Sequence, residues 1–148
     1  MGKRITGYQH ALIANRIPLD PALIRIGDWS AASGARLTRE LFRRGPGPDA
    51  IFAQNDRMGI GALRSLSELG IDVPGDVAIV GFDDMDFCDA STPTLSSIRP
   101  PLEQLGRTAF QVVFDQLSGR AVSEREFRIP CAFVQRGSSG GGPAENHR

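Results

Sequence analysis

The chain is poor in the side chains most often used for catalysis and metal binding. Of 148 residues two are histidine and two are cysteine. Cys88 and Cys131 lie far apart and form no CxxC pair, and neither makes metal-ligand spacing with His10 or His147. They read as reduced, unligated thiols of a cytoplasmic protein. No charge of either sign predominates: 17 basic and 17 acidic side chains give a formal net charge of zero. A protein whose main task is gripping nucleic-acid phosphate is usually basic. No apolar run approaches the roughly 18 residues that cross a membrane, and no charged-then-apolar signal segment opens the chain. GxxxxGK[ST], GxSxG and complete GxGxxG motifs are all missing. There is no internal repeat.

What is present suits one globular domain with a real core: 41% apolar and 23% charged residues over a length sufficient to bury one. The most informative stretch is Asp76-Val77-Ala78-Ile79-Val80-Gly81-Phe82-Asp83-Asp84. A continuous apolar run suits a strand covered on both faces, as in a parallel sheet under helices. Its polar residues fall at the carboxyl end, where open α/β sheets bind ligands.

The rest of the chain alternates in the same way. Ile5, Tyr8 and Leu12 mark a helix over residues 4–14, and Pro18 and Pro21 break the pattern. A short strand is expected at Leu23-Ile24-Arg25-Ile26, followed by Gly27-Asp28-Trp29. Ser30 caps a helix to about Arg44, with Gly34, Leu37 and Leu41 on its inner stripe. Ile51-Phe52-Ala53 form the next strand. Asn55 or Asp56 caps a helix whose inner face is Met58, Ala62, Leu66 and Leu69, with Gly70 at the C′ position. Met58 and Leu66 read as core or subunit-interface residues. Residues 85–100 show no period and read as a crossing segment. Pro100-Pro101 open a helix to about residue 118, striped by Leu102, Leu105, Ala109, Val112 and Leu117 and closed by Gly119. Phe127, Ile129, Cys131 and Phe133 alternate as a strand that Pro130 confines to an edge. The Gly- and Ser-rich end from Ser138 reads as a disordered tail. The expected fold class is therefore α/β: a parallel, doubly wound sheet with flanking helices. Three successive strand ends carry Asp28-Trp29, Asn55-Asp56 and Asp83-Asp84, so parallel strands gather these residues on one edge.

Five segments in this order resemble the effector-binding region of the lactose/galactose-repressor family of bacterial transcription regulators. They are Arg4-Ile5-Thr6-Gly7-Tyr8, Gly27-Asp28-Trp29-Ser30, Phe52-Ala53-Gln54-Asn55-Asp56, Val73-Pro74-Gly75-Asp76-Val77 through Asp84, and Leu95-Ser96-Ser97-Ile98-Arg99. The closing Phe133-Val134-Gln135-Arg136-Gly137-Ser138 also resembles that family's last strand. The resemblance implies a two-lobed fold like that of periplasmic sugar-binding proteins, with a small-molecule effector in the cleft. It implies that residues 1–137 are the C-terminal lobe, that helix 101–118 belongs to an N-terminal lobe outside this chain, and that 138–148 are tail. It also implies a homodimer that meets operator DNA only through a helix-turn-helix headpiece outside this chain. Left without that lobe, the helix stripe is expected to pack on another copy or to leave the chain unstable.

Site roles follow residue by residue. Asp83 matches the family aspartate that accepts hydrogen bonds from ligand hydroxyls or a purine nitrogen, and a carboxylate accepting two bonds suits a vicinal diol. Arg4 matches the arginine that points into the cleft and offers a rigid fork of donors. Trp29 can cover the apolar face of a sugar ring or stack on a base. Asn55 donates and accepts, a role compatible with plain N-capping. Phe82 lines either the cleft or the core. Asp84 reads as structural. Arg99 precedes Pro100, which occupies a position where the family has glutamine. A sugar is the expected effector, ahead of a purine or a phosphosugar. No cofactor, no metal, no catalytic residue and no membrane partner is expected. One alternative is a periplasmic sugar-binding protein of a transport system. Another is an enzyme holding Mg²⁺ on Asp56, Asp83, Asp84 and Asp86.

Overall fold

The computed structural model describes residues 2–43, 45–120 and 126–140. Helix α1 spans Lys3–Ala14, α2 Ala31–Phe42, α3 Asp56–Glu68 and α4 Leu102–Leu117. Strands β1 (Ala50–Phe52), β2 (Ala78–Phe82), β3 (Ser96–Arg99) and β4 (Ala132–Val134) form one sheet in the order β1-β2-β3-β4. The first three strands run parallel, with Ile51 opposite Ile79 and Gly81 opposite Ser97. β4 adds antiparallel to β3 at the edge, beginning just past Pro130, where a missing N–H is harmless.

The helix starts follow from their caps. The Ser30 hydroxyl accepts from Ser33 N at 3.1 Å, and Asn55 Oδ1 accepts from Met58 N at 2.9 Å. Gly70, left-handed at φ 71°, lies just beyond α3. The buried apolar side chains of α3 (Ala62, Leu63, Leu66) meet Val77 and Ile79 around β2 together with Cys88 and Leu95. Helices α2 and α3 approach almost backbone to backbone. A Cβ on Gly61 would lie 1.9 Å from Ala31 O, and one on Gly34 would lie 2.3 Å from Met58 O.

Several expectations need correction. Residues 23–26 form no strand. Asp20 accepts from Ala22 N and Pro21 starts a single 3₁₀ turn through Leu23. No ladder forms between this segment and β1, and Ile26 is left 84% exposed. The segment read as a featureless crossing contains a 3₁₀ turn, Asp86–Cys88, and strand β3. The serines of β3 hid it. Ser96 and Ser97 are fully buried, which only their hydrogen bonds permit: Ser96 N donates to Ser138 Oγ, and Ser97 Oγ donates to Asp56 Oδ1. The last strand is shorter than expected, starting at Ala132 rather than Phe127. Ser138 does not begin a tail. It is fully buried, and its hydroxyl donates to Ile79 O at 2.7 Å, stitching the chain end to β2. The remainder of the expected tail, 141–148, lies outside the described residues, as does Arg44 at the expected end of α2.

Helices α1 and α4 bury no residue. Leu102, Leu105, Phe110, Val113, Phe114 and Leu117 of α4 all face solvent. Cys88 is buried and Cys131 exposed; neither forms a disulfide. No helix among the described residues is long and apolar enough to cross a membrane.

Candidate ligand site at the carboxyl end of the sheet

Sequence order separates Arg4, Trp29, Asn55 and Asp83 widely, and the fold brings them together. β1 and β2 are parallel, so their carboxyl ends place Gln54-Asn55 and Phe82-Asp83 side by side. Arg4, on the first turn of α1, donates from Nη1 to Gln54 O. Its guanidinium carbon lies 3.9 Å from the centre of the Phe82 ring and 5.7 Å from that of Trp29. Its other terminal nitrogen is 4.0 Å from Asp83 Oδ1, with both side chains more than a third exposed, so that pair is weak on its own.

Trp29 is held by backbone geometry rather than by burial. It adopts φ 70°, a left-handed conformation unusual for tryptophan, and its carbonyl accepts from Asn55 Nδ2 at 2.9 Å. The preceding turn is fixed by Asp28, whose carboxylate accepts from the hydroxyl and N–H of Ser30. Hydrogen bonds from Ser30 lower the Asp28 pKa to about 2, so this turn keeps its charge well into acid. The indole is 57% exposed, and Trp29 is therefore a surface platform rather than a core residue. Asn55 does two jobs with one amide, capping α3 and tethering Trp29. Replacing Asn55 with alanine is expected to destabilise the domain by about 1–2 kcal/mol through the lost cap and tether. Urea unfolding measures the first effect, and a shifted Trp29 emission maximum reports the second.

The Asp83 side chain projects from a tight turn. Asp83 and Asp84 have φ 104° and 54°, a disfavoured conformation for two consecutive non-glycine residues. Three successive N–H groups hold the turn: Asp83 N donates to Ile98 O, Asp84 N to Ser97 Oγ and Met85 N to Asp56 Oδ2. Partial burial raises the Asp83 pKa; the nearby Arg4 charge opposes this, and the Asp56 carboxylate adds to it. Asp84 points the other way, its side chain 3% exposed between Arg136 and Arg99. Burial alone would push its pKa up, but the two guanidiniums outweigh burial and hold it below the ordinary value. This is the structural role expected for Asp84.

Two of the four carboxylates of the Mg²⁺ reading, Asp56 and Asp84, are engaged elsewhere. Both oxygens of the buried Asp56 accept hydrogen bonds, from Ser97 and from Met85 N, and both oxygens of Asp84 face arginine. Among the described residues, no three histidine, cysteine, aspartate or glutamate side chains cluster so as to hold a metal. Gly81 makes the Asp56 arrangement possible, since a Cβ there would lie 2.2 Å from Asp56 Oδ1. Burial, reinforced by the same carboxylate, pushes the Cys88 thiol up to about 12 and leaves it unreactive.

Trp29, Asn55 and Asp83, expected on one edge, do lie together, and Arg4, which the resemblance pointed to, and Phe82, left between cleft and core, join them. Sequence reasoning overlooked the supporting residues Asp56, Ser97 and Arg136. The one available signal was an arginine, Arg136, just after an expected strand; Ser96 and Ser97 lay in a segment with no strand pattern.

Comparison with known proteins gives the same neighbourhood. The periplasmic binding protein-like domain family matches residues 1–139. The chain is 39% identical over 117 residues to the HTH-type transcriptional regulator CelR of Thermobifida fusca, covering 79% of this chain and 34% of that protein. It is 33% identical over 136 residues to the HTH-type transcriptional repressor CytR of Escherichia coli K12, covering 92% and 40%. It is also 33% identical over 133 residues to the lactose operon repressor of the same strain, covering 90% and 36%. Among solved structures, a CelR–cellobiose complex superposes with TM-score 0.82 at 36% identity, over 91% of this chain and 41% of the other. A lac repressor dimer bound to operator and an anti-inducer superposes with TM-score 0.82 at 32% identity, over 92% and 40%. The chain thus spans 40% or less of the length of the curated relatives named here.

Proposed function

The chain belongs to the lactose/galactose-repressor family of transcriptional regulators, and from that premise we propose that it is the effector-sensing lobe of a repressor whose ligand is a neutral sugar. The observation that carries this reading is the convergence of Arg4, Trp29, Phe82 and Asp83. Asp83 accepts from ring hydroxyls, Arg4 donates to them, and Trp29 covers the ring's apolar face. Asn55 serves indirectly, by fixing Trp29.

The charge balance favours a neutral ligand over a phosphosugar or a nucleotide. The Arg4 guanidinium already faces Asp83, so a phosphate would meet that carboxylate with no surplus cation in the cluster. Relatives support the class of ligand: the CelR structure is a cellobiose complex. In this reading the exposed apolar side chains of α4 are covered by a second lobe, the effector sits between the lobes, and the regulator acts as a homodimer. Closure of the lobes on the sugar then alters the grip of a DNA-binding segment on its operator, a coupling carried by different contacts in two states. The named relatives are regulators, which favours this reading over a transport protein.

Trp29 is the only tryptophan, so its emission reports the site directly. The test is a titration of the full-length protein with glucose, galactose, lactose, cellobiose, glucose 6-phosphate and hypoxanthine. A saturable response to a neutral sugar and none to the phosphosugar is expected. A response confined to hypoxanthine moves the reading to a nucleobase, and silence with every compound overturns the site.

A further inference from the structure

Asp83 can face a ligand only while residues 83–84 hold their left-handed turn, and beside Asp56 and Ser97 a buried guanidinium supports that turn. Arg136 is nearly fully buried just past β4. Its Nη1 donates to Asp84 Oδ1 at 2.7 Å and to Leu95 O at 2.9 Å, while Nε donates to Asp89 Oδ1. The backbone of Arg136 is itself clamped, its N–H donating to Ser96 Oγ and its carbonyl accepting from the same hydroxyl. Asp84 takes its second partner from Arg99, at the end of β3 where the chain leaves for α4. One carboxylate therefore ties the turn to both segments through which the chain enters or leaves this edge of the sheet.

Stability alone is a poor reason for this arrangement, because a buried ion pair loses much of its attraction to desolvation. Fixing geometry is a better one. The planar fork reaches three acceptors on three segments at once, which the single ammonium of lysine cannot do.

We propose that Arg136 is a positioning residue for effector binding: through Asp84 it holds residues 83–84 in the conformation that turns Asp83 toward Arg4. This rests on the reading of Asp83 as a ligand contact, so the experiment has one arm that needs no ligand.

The variant is Arg136→Lys in the full-length protein, which keeps the buried charge and loses the fork. Arg136→Met is the stronger companion. In the first arm, hydrogen exchange is followed at the amides of Asp83, Asp84 and Met85, with Ile79 and Val80 in β2 as internal reference. Faster exchange confined to 83–85 supports the proposal. Unchanged exchange there, or a uniform rise across the sheet, overturns it, because Arg136 would then only stabilise the fold. In the second arm, Trp29 fluorescence gives the Kd for the sugar panel above. A roughly tenfold weaker Kd in Arg136→Lys, at a melting temperature near that of the unaltered protein, is expected for one charged hydrogen-bond network set loose. A Kd equal to that of the unaltered protein overturns the proposal. If the unaltered protein binds no sugar, the functional reading fails and the exchange arm alone decides the role of Arg136. Should Arg136→Met fail to fold, the lysine variant still decides both arms.

Discussion

Replacing Asp83 with alanine is expected to weaken sugar binding by about 100-fold. The estimate follows from the chemistry of the contact. An ionised carboxylate accepting two hydroxyl hydrogen bonds contributes about 1.5–3 kcal/mol for each, and losing both corresponds to at least two decades in Kd. Asp83→Asn sharpens the test. Asparagine tolerates positive φ and fills the same volume, so it leaves the turn intact while removing the charge. Fluorescence titration of both variants should show most of the loss already in Asp83→Asn; unaltered binding in either one removes Asp83 from the site. The pH dependence has a definite sign. Because partial burial raises the Asp83 pKa above the ordinary 3.8, the ionised acceptor is lost as pH falls through that raised value. Affinity should therefore decline before the fold does. The contribution of Asp83 to folding runs the opposite way, fully present at low pH and lost as pH rises through the folded-state value. Asp84, held below 3.8 by Arg136 and Arg99, contributes stability that is lost only on further acidification. A binding curve and an acid-unfolding curve measured over the same pH range should separate, with binding lost at the higher pH.

Gly61→Val is expected to lower stability by about 3 kcal/mol or more, the upper end of overpacking effects. In a domain of this size that corresponds to roughly 10 °C in melting temperature. The cause is local and steric. A Cβ at residue 61 would overlap Ala31 O, and the opposing backbone at Met58 already meets Gly34 just as closely. A flexible side chain could move aside from such a clash; a main-chain carbonyl inside a helix cannot. The helices would have to separate along the contact that Gly34 and Gly61 now make close. Gly7→Ala provides the contrast. Gly7 also lies inside a helix, but nothing lies within 4 Å of its Cβ position, and alanine there should stabilise the helix by about 0.5–1 kcal/mol. Thermal melts of the two variants should shift in opposite directions. A Gly61→Val protein melting with the unaltered one would mean that the α2–α3 crossing is not as close as described.

Much of the fold was legible from local signals. The caps at Ser30 and Asn55, the apolar run 77–80 and the glycine after α3 each need only neighbouring residues to be understood, and each element formed where those signals lie. The failures share one cause. Leu23-Ile24-Arg25-Ile26 has strand composition, but a strand also needs a partner, and no ladder reaches it. Ser96-Ser97 has loop composition, yet hydrogen bonds to Ser138 and Asp56 let it serve as an inner strand. The candidate site shows the same division. Asn55 and Asp83 were found from their places at strand ends, whereas the strand expected before Trp29 does not form and Arg4 lies on a helix. Residues acting by support were not found, because burial of Arg136 or Asp56 cannot be read from a neighbour in sequence.

The amino-acid sequence by itself determined that this is an α/β chain resembling the repressor family, and that Asn55 and Asp83 end neighbouring parallel strands; the place of Arg4 came from the resemblance. Periodicity, capping and motif order are local properties, and local properties survive without coordinates. Only the tertiary structure decided which polar groups are buried together. It showed that Asn55 is spent on holding Trp29, that Asp84 turns away from Asp83 toward two arginines, and that Ser138 belongs to the core. A buried polar group is stable only with its partner in place, and the partners here lie 26, 52 and 59 residues away along the chain.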